Sequence, residues 1–297
     1  MTAIVKTIVA TGCTSGLGFE AVKQLLEQTQ AYKLILGARD VKTAQAAYDK
    51  LHYDNSRHSL TILPLELTDL QTVKSFANQT LKNLGQEPLD YLLLNAAIAR
   101  SADGNPGPNG SQWSHSYIVN HLSQHYLTHL LQPKLKEART RVVVVSSGAI
   151  KMVKETAGLQ DGVKAKAETY HLQLYPMTKF IQLLGAHWWR RQLQGTCKVV
   201  AVSPGLIPGT GLPRFAKPGD PVPLPTMPGA KSIQEGAQSI LAALTRDDFP
   251  EDPERIFLTS WGEWWPKEEY GLSLDKGLQE AWCPSREEIE RDERVGA

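Results

Sequence analysis

A tyrosine and a lysine stand four residues apart in the segment Tyr175-Pro-Met-Thr-Lys179. This spacing places both side chains on one face of a helix. A nearby ammonium group lowers the pKa of a phenol from its ordinary value of about 10. The tyrosine could then exchange a proton with a substrate oxygen near neutral pH. Chance matches to this spacing are common, so by itself it favours two ordinary residues of a helix over a site.

Three other groups of polar or small residues change that balance. Ser147 ends the apolar run that starts at Val142, where a hydroxyl could hold a carbonyl oxygen. Asn95-Ala96-Ala97 ends another apolar run with residues small enough to lie beside a ribose, and Asn120 follows in the next predicted helix. Each has an ordinary explanation as a cap, a turn or a surface amide. Their joint occurrence in this order favours an active site.

The segment Thr11-Gly-Cys-Thr-Ser-Gly-Leu-Gly18 joins the first predicted strand to the first predicted helix. Glycine permits a tight turn and close approach of a phosphate to the backbone, and a helix N-terminus binds anions. The alternative is a tight turn without a ligand. We predict a dinucleotide site with contacts at Gly12, Thr14, Ser15, Gly16, Leu17 and Gly18.

The second predicted strand ends in Gly37-Ala-Arg-Asp40. NAD-binding domains usually carry an acidic residue near this point to bind the ribose 2′-hydroxyl. Ala38 stands there instead, and Arg39 follows, which suits a 2′-phosphate through bidentate hydrogen bonds. The combination predicts NADP(H) as the cofactor. The alternative is a surface arginine that pairs with Asp40.

The elements that must position these residues alternate along the chain. Strands are predicted at Val5–Ala10, Lys33–Gly37, Leu60–Leu65, Leu89–Leu94, Arg141–Ser146, Lys198–Ser203 and Ile256–Ser260. Helices are predicted at Gly18–Gln28, Val41–Tyr53, Leu70–Gly85, Gln112–Lys136, Leu174–Gln194 and Ser232–Thr245. Alternating strands and helices give parallel strands with right-handed crossovers. We predict an α/β doubly wound parallel sheet of seven strands, a Rossmann fold, in a single domain over residues 1–297.

Three stretches interrupt the alternation, and all follow predicted strands: Ile98–Ser111, Gly148–Thr169 and Pro204–Pro228. The last carries eight prolines, which rules out a regular helix or a central strand. We predict that residues 204–230 form a lid that selects a bulky apolar substrate. The alternative is a disordered excursion without substrate contact, favoured by the polar centre Lys217–Asp220.

Composition narrows the possible partners. The 297 residues carry 32 Lys+Arg and 31 Asp+Glu, for a net charge of +1, so neither nucleic acid nor an anionic membrane is expected as the partner. The three cysteines are far apart, which indicates no disulfide framework and no zinc site. Without a long apolar run or a signal peptide, we expect a soluble cytoplasmic protein without a membrane span, acting on a small molecule.

Two clusters could be either sites or structure. His121, His125 and His129 recur every four residues, as metal ligands could, but no acidic or cysteine ligand accompanies them, and we predict no metal. Trp188 and Trp189 are predicted to be structural, whereas Trp261–Trp265 could line a pocket or fill a core. A C-terminal helical extension is expected over about 272–297, with Arg286–Arg294 as a solvated helix end.

The chain resembles the short-chain dehydrogenase/reductase family from Val5 to about Ile289. Thr11–Gly18 matches the family's Thr-Gly-x-x-x-Gly-x-Gly, and Asn95–Ala97 is similar to its Asn-Asn-Ala-Gly, with Leu94 and Ala97 as departures. Glu66–Asp69 is similar to the segment beside the adenine, and Ser203–Thr210 to the Pro-Gly segment that passes the nicotinamide. The long spacing from Ser147 to Tyr175 resembles retinol-dehydrogenase-like and protochlorophyllide-reductase-like members.

The resemblance implies a catalytic tetrad of Asn120, Ser147, Tyr175 and Lys179. Tyr175 would exchange the proton, Ser147 would hold the substrate oxygen, Lys179 would lower the tyrosine pKa and bind the ribose, and Asn120 would hold a water linked to Lys179. It adds further NADP contacts at Glu66, Leu67, Asn95, Ala96, Ala97, Tyr175, Lys179, Pro204, Gly205 and Thr210. A homodimer through the helices at 112–136 and 174–194 is a family-level expectation.

The predicted function is therefore an NADP-dependent oxidoreductase acting on a carbonyl or secondary alcohol. Two alternatives stay open. One is an NADP(H)-binding regulator without turnover, which would have no need of the tetrad. The other is a tailoring enzyme that uses the same pocket for non-redox isomerisation or cyclisation.

Overall fold

The computed structural model describes residues 4–296. Seven parallel strands form one sheet in the order β3-β2-β1-β4-β5-β6-β7. Their bounds are β1 Lys6–Thr11, β2 Tyr32–Ala38, β3 Ser59–Pro64, β4 Tyr91–Leu94, β5 Arg141–Val145, β6 Lys198–Val202 and β7 Phe257–Leu258. The predicted doubly wound α/β sheet of seven strands is confirmed.

Helices cover both faces of this sheet. The α-helices are α1 Gly16–Leu26, α2 Val41–Tyr48, α3 Leu70–Leu84, α4 His115–Tyr117, α5 Ser123–Ala138, α6 Leu159–Gly162, α7 His171–Gln192, α8 Ile233–Thr245, α9 Lys276–Trp282 and α10 Arg286–Asp292. Along residues 4–296, no helix is both long and apolar enough to cross a membrane.

The apolar strands divide their side chains between two cores. In β1, Val9 points to the side that α3, α5 and α7 cover, whereas Ile8 and Ala10 point to the side that α1, α2 and α8 cover. This alternation follows the pleat of the strand. Burial on both faces explains why the strands read as continuous apolar runs instead of alternating apolar and polar residues.

The strand order reverses between β1 and β4, where the chain leaves β1 on one side of the sheet and returns on the other. Ligands of open α/β sheets bind at such a switch point, beyond the carboxyl ends of the strands. The three long connections all leave from that edge. Two of them pair with each other, since the Ser114 and Ala102 amides donate to Val163 and Thr169.

The segment before α5 is not a simple helix. Residues Ile118–Leu122 form one π-helical turn between α4 and α5. The predicted uniform helix over 112–136 is therefore wrong in its first turns. Such π turns within α-helices often mark functional positions, and this one contains Asn120 at its centre.

The C-terminal segment packs back onto α5 and α7. The Tyr126 hydroxyl donates to Glu290 Oε1 at 2.6 Å, and Ile289 is buried. The prediction of a solvated helix end over Arg286–Arg294 is wrong for this face of α10. Its charge run does not reveal that one apolar residue and one carboxylate anchor the helix. Ala297 lies outside the described residues, as do Met1–Ala3.

Helices α9 and α10 and the residues between them, here called the C-terminal cover, pack over three histidines. His121 belongs to the π turn, and His125 and His129 belong to α5. His121 Nε2 lies 2.7 Å from the Trp282 carbonyl oxygen, and His125 Nε2 lies 3.0 Å from that of Pro284. Trp189 Nε1 donates to His125 Nδ1, so His125 Nε2 carries the proton and donates. A homodimer stays a prediction, but the chain itself covers this histidine face.

Candidate active site

One groove of about 940 Å³ runs along the carboxyl edge of the sheet. Every residue predicted to contact a cofactor lines it, as do Ser147, Tyr175 and Lys179. Asn120 does not. Residues from the ends of β1, β2, β4, β5 and β6 and from the start of α7 therefore meet in a single cavity.

The tyrosine and the serine come from different elements. Tyr175 lies in the second turn of α7, and Ser147 follows the end of β5. Burial raises the pKa of Tyr175 to about 12, and the nearby Ser147 hydroxyl opposes the rise. Ser147 Oγ accepts a hydrogen bond from the Ala149 amide at 3.1 Å, which leaves its own hydrogen available to a substrate oxygen.

Lys179 is fully buried one helical turn after Tyr175. Its Nζ donates to the Val145 carbonyl at 2.7 Å and to Gln182 Oε1 at 3.0 Å, and it lies 5.9 Å from the centre of the Tyr175 ring. Burial lowers the pKa of Lys179 to about 7. The expected lowering of the tyrosine pKa by Lys179 is therefore not seen in this state. The ammonium is directed at these two acceptors, and desolvation dominates at both residues.

Gln182 is a residue that sequence reasoning missed. It lies three residues after Lys179 on α7, so helical spacing alone could have indicated the contact. Its Nε2 is buried without a hydrogen-bond partner within the described part of the chain. Gln182 fixes the direction of the lysine side chain.

Asn120 has a positioning role in the structure. Its Oδ1 accepts from the Ile98 amide at 2.8 Å, and its Nδ2 donates to the Ile98 carbonyl and to Thr178 Oγ1, both at 2.9 Å. Both amide hydrogens are thus occupied. The side chain ties the loop after β4 to α7 beside Lys179. The water expected at Asn120 stays a prediction.

A second missed residue, Gln124, fastens the floor of the groove. Thr11 Oγ1 donates to Gln124 Oε1 at 3.2 Å, and Gln124 Nε2 donates to the Ala96 carbonyl at 2.9 Å. The Thr11 hydroxyl also accepts from the Asn95 and Ala96 amides. These bonds hold the ends of β1 and β4 together at the switch point. The only signal in the sequence was a glutamine four residues after Asn120, one turn further along the predicted helix.

Two glycines of the glycine-rich turn lie so close to neighbouring backbone atoms that a side chain would not fit there. Gly12 has a φ of +68°, and a Cβ there would lie 2.5 Å from Ala96 Cα. A Cβ at Gly18 would lie 2.4 Å from the Gly12 carbonyl oxygen. The Ser15 side chain does not cap α1, so the first amides of the helix are left to a ligand in the groove.

At the end of β2, Arg39 lies at the groove without an ion pair among the described residues. Asp40 instead caps α2, since its carboxylate accepts from the Thr43 amide and hydroxyl. The alternative pairing of Arg39 with Asp40 is therefore not observed. Glu66 and Leu67 line the same end of the groove.

The segment from Pro204 to Ala230, here called the strap, contains no regular helix or strand. Thr210 lies against the glycine-rich turn, with its Cβ 3.7 Å from the point where a Cβ of Gly16 would stand. Leu206, Ile207, Leu212 and Phe215 line the groove, whereas Val222, Leu224 and Met227 do not. The Tyr170 hydroxyl donates to Asp220 Oδ1 at 2.8 Å, which fastens the far end of the strap to the rim.

The two groups of tryptophans lie in different parts of the molecule. Trp265 lines the groove and packs edge-on against Phe257, with ring centres 4.5 Å apart. Trp188 and Trp189 pack against the α5 histidines and have no place in the groove. Within residues 4–296, no group of three or more His, Cys, Asp or Glu is arranged to hold a metal ion.

Comparison with known proteins decides the family. The model of the short chain dehydrogenase family matches residues 6–158. A short-chain dehydrogenase/reductase of Pestalotiopsis microspora is 57% identical over 288 residues, which cover 96% of this chain and 98% of that protein. The chain belongs to the short-chain dehydrogenase/reductase family. Retinol dehydrogenase 12 of Bos taurus is 29% identical over 210 residues, 68% of this chain and 61% of that protein.

Solved structures of this dehydrogenase/reductase family share the fold. An NADPH-bound carbonyl reductase from chicken fatty liver has a TM-score of 0.66 at 22% identity, and the match covers 88% of this chain and 94% of that one. An alcohol dehydrogenase of Thermococcus sibiricus, complexed with 5-hydroxy-NADP, has a TM-score of 0.63 at 17% identity, with 86% and 96% covered. At such identities the likeness establishes the fold alone.

Proposed function

We propose that this short-chain dehydrogenase/reductase is an NADP-dependent enzyme that reduces a carbonyl group of a bulky apolar small molecule, or oxidises the corresponding secondary alcohol. One observation carries the proposal. The groove has Tyr175, Ser147 and Lys179 at one end and the glycine-rich turn with Arg39 at the other.

The residues present fit a dinucleotide. A side chain at Gly12 or Gly18 would collide with the backbone of Ala96 or Gly12, so only glycine allows a turn this tight beside α1. The first amides of that helix suit a pyrophosphate. Arg39 has no acidic partner among the described ion pairs and suits a 2′-phosphate. NADP-bound relatives, such as the chicken carbonyl reductase, support the same choice.

Bound NADPH would supply the hydride, and the chain's own groups would supply the proton and the orientation. In reduction, Tyr175 donates its phenolic proton to the substrate oxygen, and the Ser147 hydroxyl donates a hydrogen bond to the same oxygen. Lys179 lies one helical turn after Tyr175 on α7. Its ammonium stabilises the tyrosinate that remains after the proton has been donated. Asn120 and Gln124 hold the surrounding backbone in place.

The pKa values favour reduction. Tyr175, whose pKa is raised to about 12, is protonated at neutral pH and therefore ready to donate. Oxidation would need the phenolate, which burial disfavours. We expect oxidation of the alcohol to require alkaline conditions.

The substrate class follows from the lining of the catalytic end. Met152, Leu172 and Trp265 line the groove together with Tyr175, and so do the apolar residues Leu206 and Ile207 of the strap. This lining favours a large apolar skeleton over a small polar ketone. The strap would act as the lid, excluding water when it closes.

The test is consumption of NADPH or NADH with a panel of aromatic and alicyclic ketones, beside small ketones such as acetone. We expect kcat/KM to favour NADPH by roughly 10-fold or more, because the bonds of Arg39 to the 2′-phosphate are charge-assisted, and to favour the bulky ketones. A protein that binds NADPH tightly but reduces none of the carbonyl compounds would overturn the proposal.

A further inference from the structure

A second arginine lies at the adenosine end of the groove, on the strap. Arg39, Glu66 and Arg214 line the same part of the cavity, although they come from the end of β2, the loop after β3 and the strap. Burial lowers the pKa of the Arg214 guanidinium, the nearby Arg39 lowers it further, and the Glu66 carboxylate opposes this. Two arginines therefore face one space beside a single carboxylate.

Neither arginine is neutralised. Arg214 Nη1 donates to the Gly211 carbonyl at 2.8 Å, which uses one of its five N–H groups. Neither Arg39 nor Arg214 forms an ion pair within residues 4–296. Two guanidinium groups beside one carboxylate leave a net positive charge, which favours a bound anion.

Phe215 holds this part of the strap across the groove. Its ring lies between two guanidinium groups, with Cζ of Arg214 4.9 Å and Cζ of Arg100 5.7 Å from the ring centre. Arg100 belongs to the loop after β4. Phe215 therefore joins the strap to that loop, while the adjacent Arg214 lies near Arg39 and Glu66.

We propose that Arg214 is a second determinant of cofactor specificity, which binds the 2′-phosphate of NADP(H) together with Arg39 and thereby fastens the strap over the adenosine half of the groove. This inference rests on the proposed use of NADP(H). Without the 2′-phosphate the two arginines would lack a shared anion, and the strap would be fastened less firmly at this end.

Two nucleotide fragments test it without turnover: 2′,5′-ADP, which carries the 2′-phosphate, and 5′-AMP, which lacks it. We expect Arg214→Ala to weaken binding of 2′,5′-ADP by roughly 10-fold or more, since a charge-assisted contact is lost, and to leave 5′-AMP nearly unchanged. Calorimetry measures both. Chymotryptic cleavage after Phe215 gives a second readout, because 2′,5′-ADP should protect the strap in the unmodified protein but not in Arg214→Ala.

Lys217→Ala is the matched control. It removes one positive charge from the same strap at a residue that does not line the groove, and we expect unchanged affinity for both fragments. If the unmodified protein binds both fragments equally, the proposed NADP preference fails. If it prefers 2′,5′-ADP and only Arg39→Ala removes the preference, the role of Arg214 is wrong while the proposed function stands.

Discussion

Two buried polar clusters lie along helices α5 and α7 and the π turn before α5. The catalytic cluster contains Ser147, Tyr175 and Lys179, and the histidine cluster contains His121, His125 and Trp189. In the histidine cluster, carbonyl groups of the C-terminal segment accept from the imidazoles, and none of the three residues lines the groove. In the catalytic cluster the Ser147 hydroxyl hydrogen and the Tyr175 phenol face a groove.

The difference shows how a functional site can be distinguished from buried polar residues that only stabilise packing. Both clusters have regular helical spacing, and both contain residue types that do chemistry. The clusters differ in whether their polar groups face the groove and can still form hydrogen bonds with a ligand there. The imidazoles of His121 and His125 already donate hydrogen bonds to backbone carbonyls. They therefore stabilise the packing of the C-terminal segment and are not available to a ligand.

Removal of the phenol oxygen gives the sharpest test of the catalytic cluster. We expect Tyr175→Phe to lower kcat by about 10³-fold, because the proton donor is lost, with NADPH affinity retained. Tyr91→Phe is the control, since it removes a phenol oxygen at the start of β4, outside the groove, and its kcat should stay close to that of the unmodified protein. Full turnover by Tyr175→Phe would contradict the assigned role.

Acid should destabilise the protein through protonation of the buried histidine cluster. Burial lowers the pKa of His121 to about 4, whereas an unfolded histidine has a pKa of about 6.5. The unfolded state therefore binds more protons between these values, and the free energy of unfolding falls as pH drops from about 6.5 to 4, by about 3 kcal/mol for His121. Denaturant unfolding across this range measures the slope.

His121→Gln should flatten that slope, while exposed His52→Gln should leave it unchanged. An equal slope in His121→Gln and the unmodified protein would show that other groups cause the acid sensitivity.

The lysine sharpens the catalytic side of the comparison. Because burial lowers the pKa of Lys179 to about 7, its charge is present below that pH and lost above it. We expect kcat/KM for reduction to fall by about tenfold per pH unit above 7, since kcat/KM reports groups of the free enzyme. Lys179→Met should abolish this dependence, and Lys151→Met at the rim should keep it. A pH profile unchanged in Lys179→Met would assign the titration elsewhere.

The smallest expected effect concerns the C-terminal cover. The hydrogen bond from Tyr126 holds the pKa of Glu290 at about 2, with help from Arg286 and Lys74. Tyr126→Phe should lower the free energy of unfolding by about 1 kcal/mol without changing kcat. Tyr91→Phe is the control, because its hydroxyl makes no hydrogen bond within residues 4–296. Equal losses in both variants would mean that the Glu290 contact adds nothing.

The strands and the groove were predictable because both follow local rules. Apolar runs of five or six residues specify a sheet covered on both faces, and the glycines specify the turn at Gly12–Gly18. Three features were not predictable, since each depends on a contact distant in sequence. These are the use of the Asn120 amide by Ile98 and Thr178, the direction of Lys179 toward Val145, and the anchoring of α10 by Tyr126.

The position of the C-terminal cover has a consequence for synthesis of the chain. Trp282 packs against Tyr117, with ring centres 5.7 Å apart, and Val295 is buried. Strands β1 to β6 and helix α7 precede these residues by a long stretch of chain, whereas β7 precedes them closely. Domains fold in the order in which the chain emerges from the ribosome. Until α9 and α10 have been made, the surface of α5 and α7 that they cover is therefore exposed to solvent in the nascent protein.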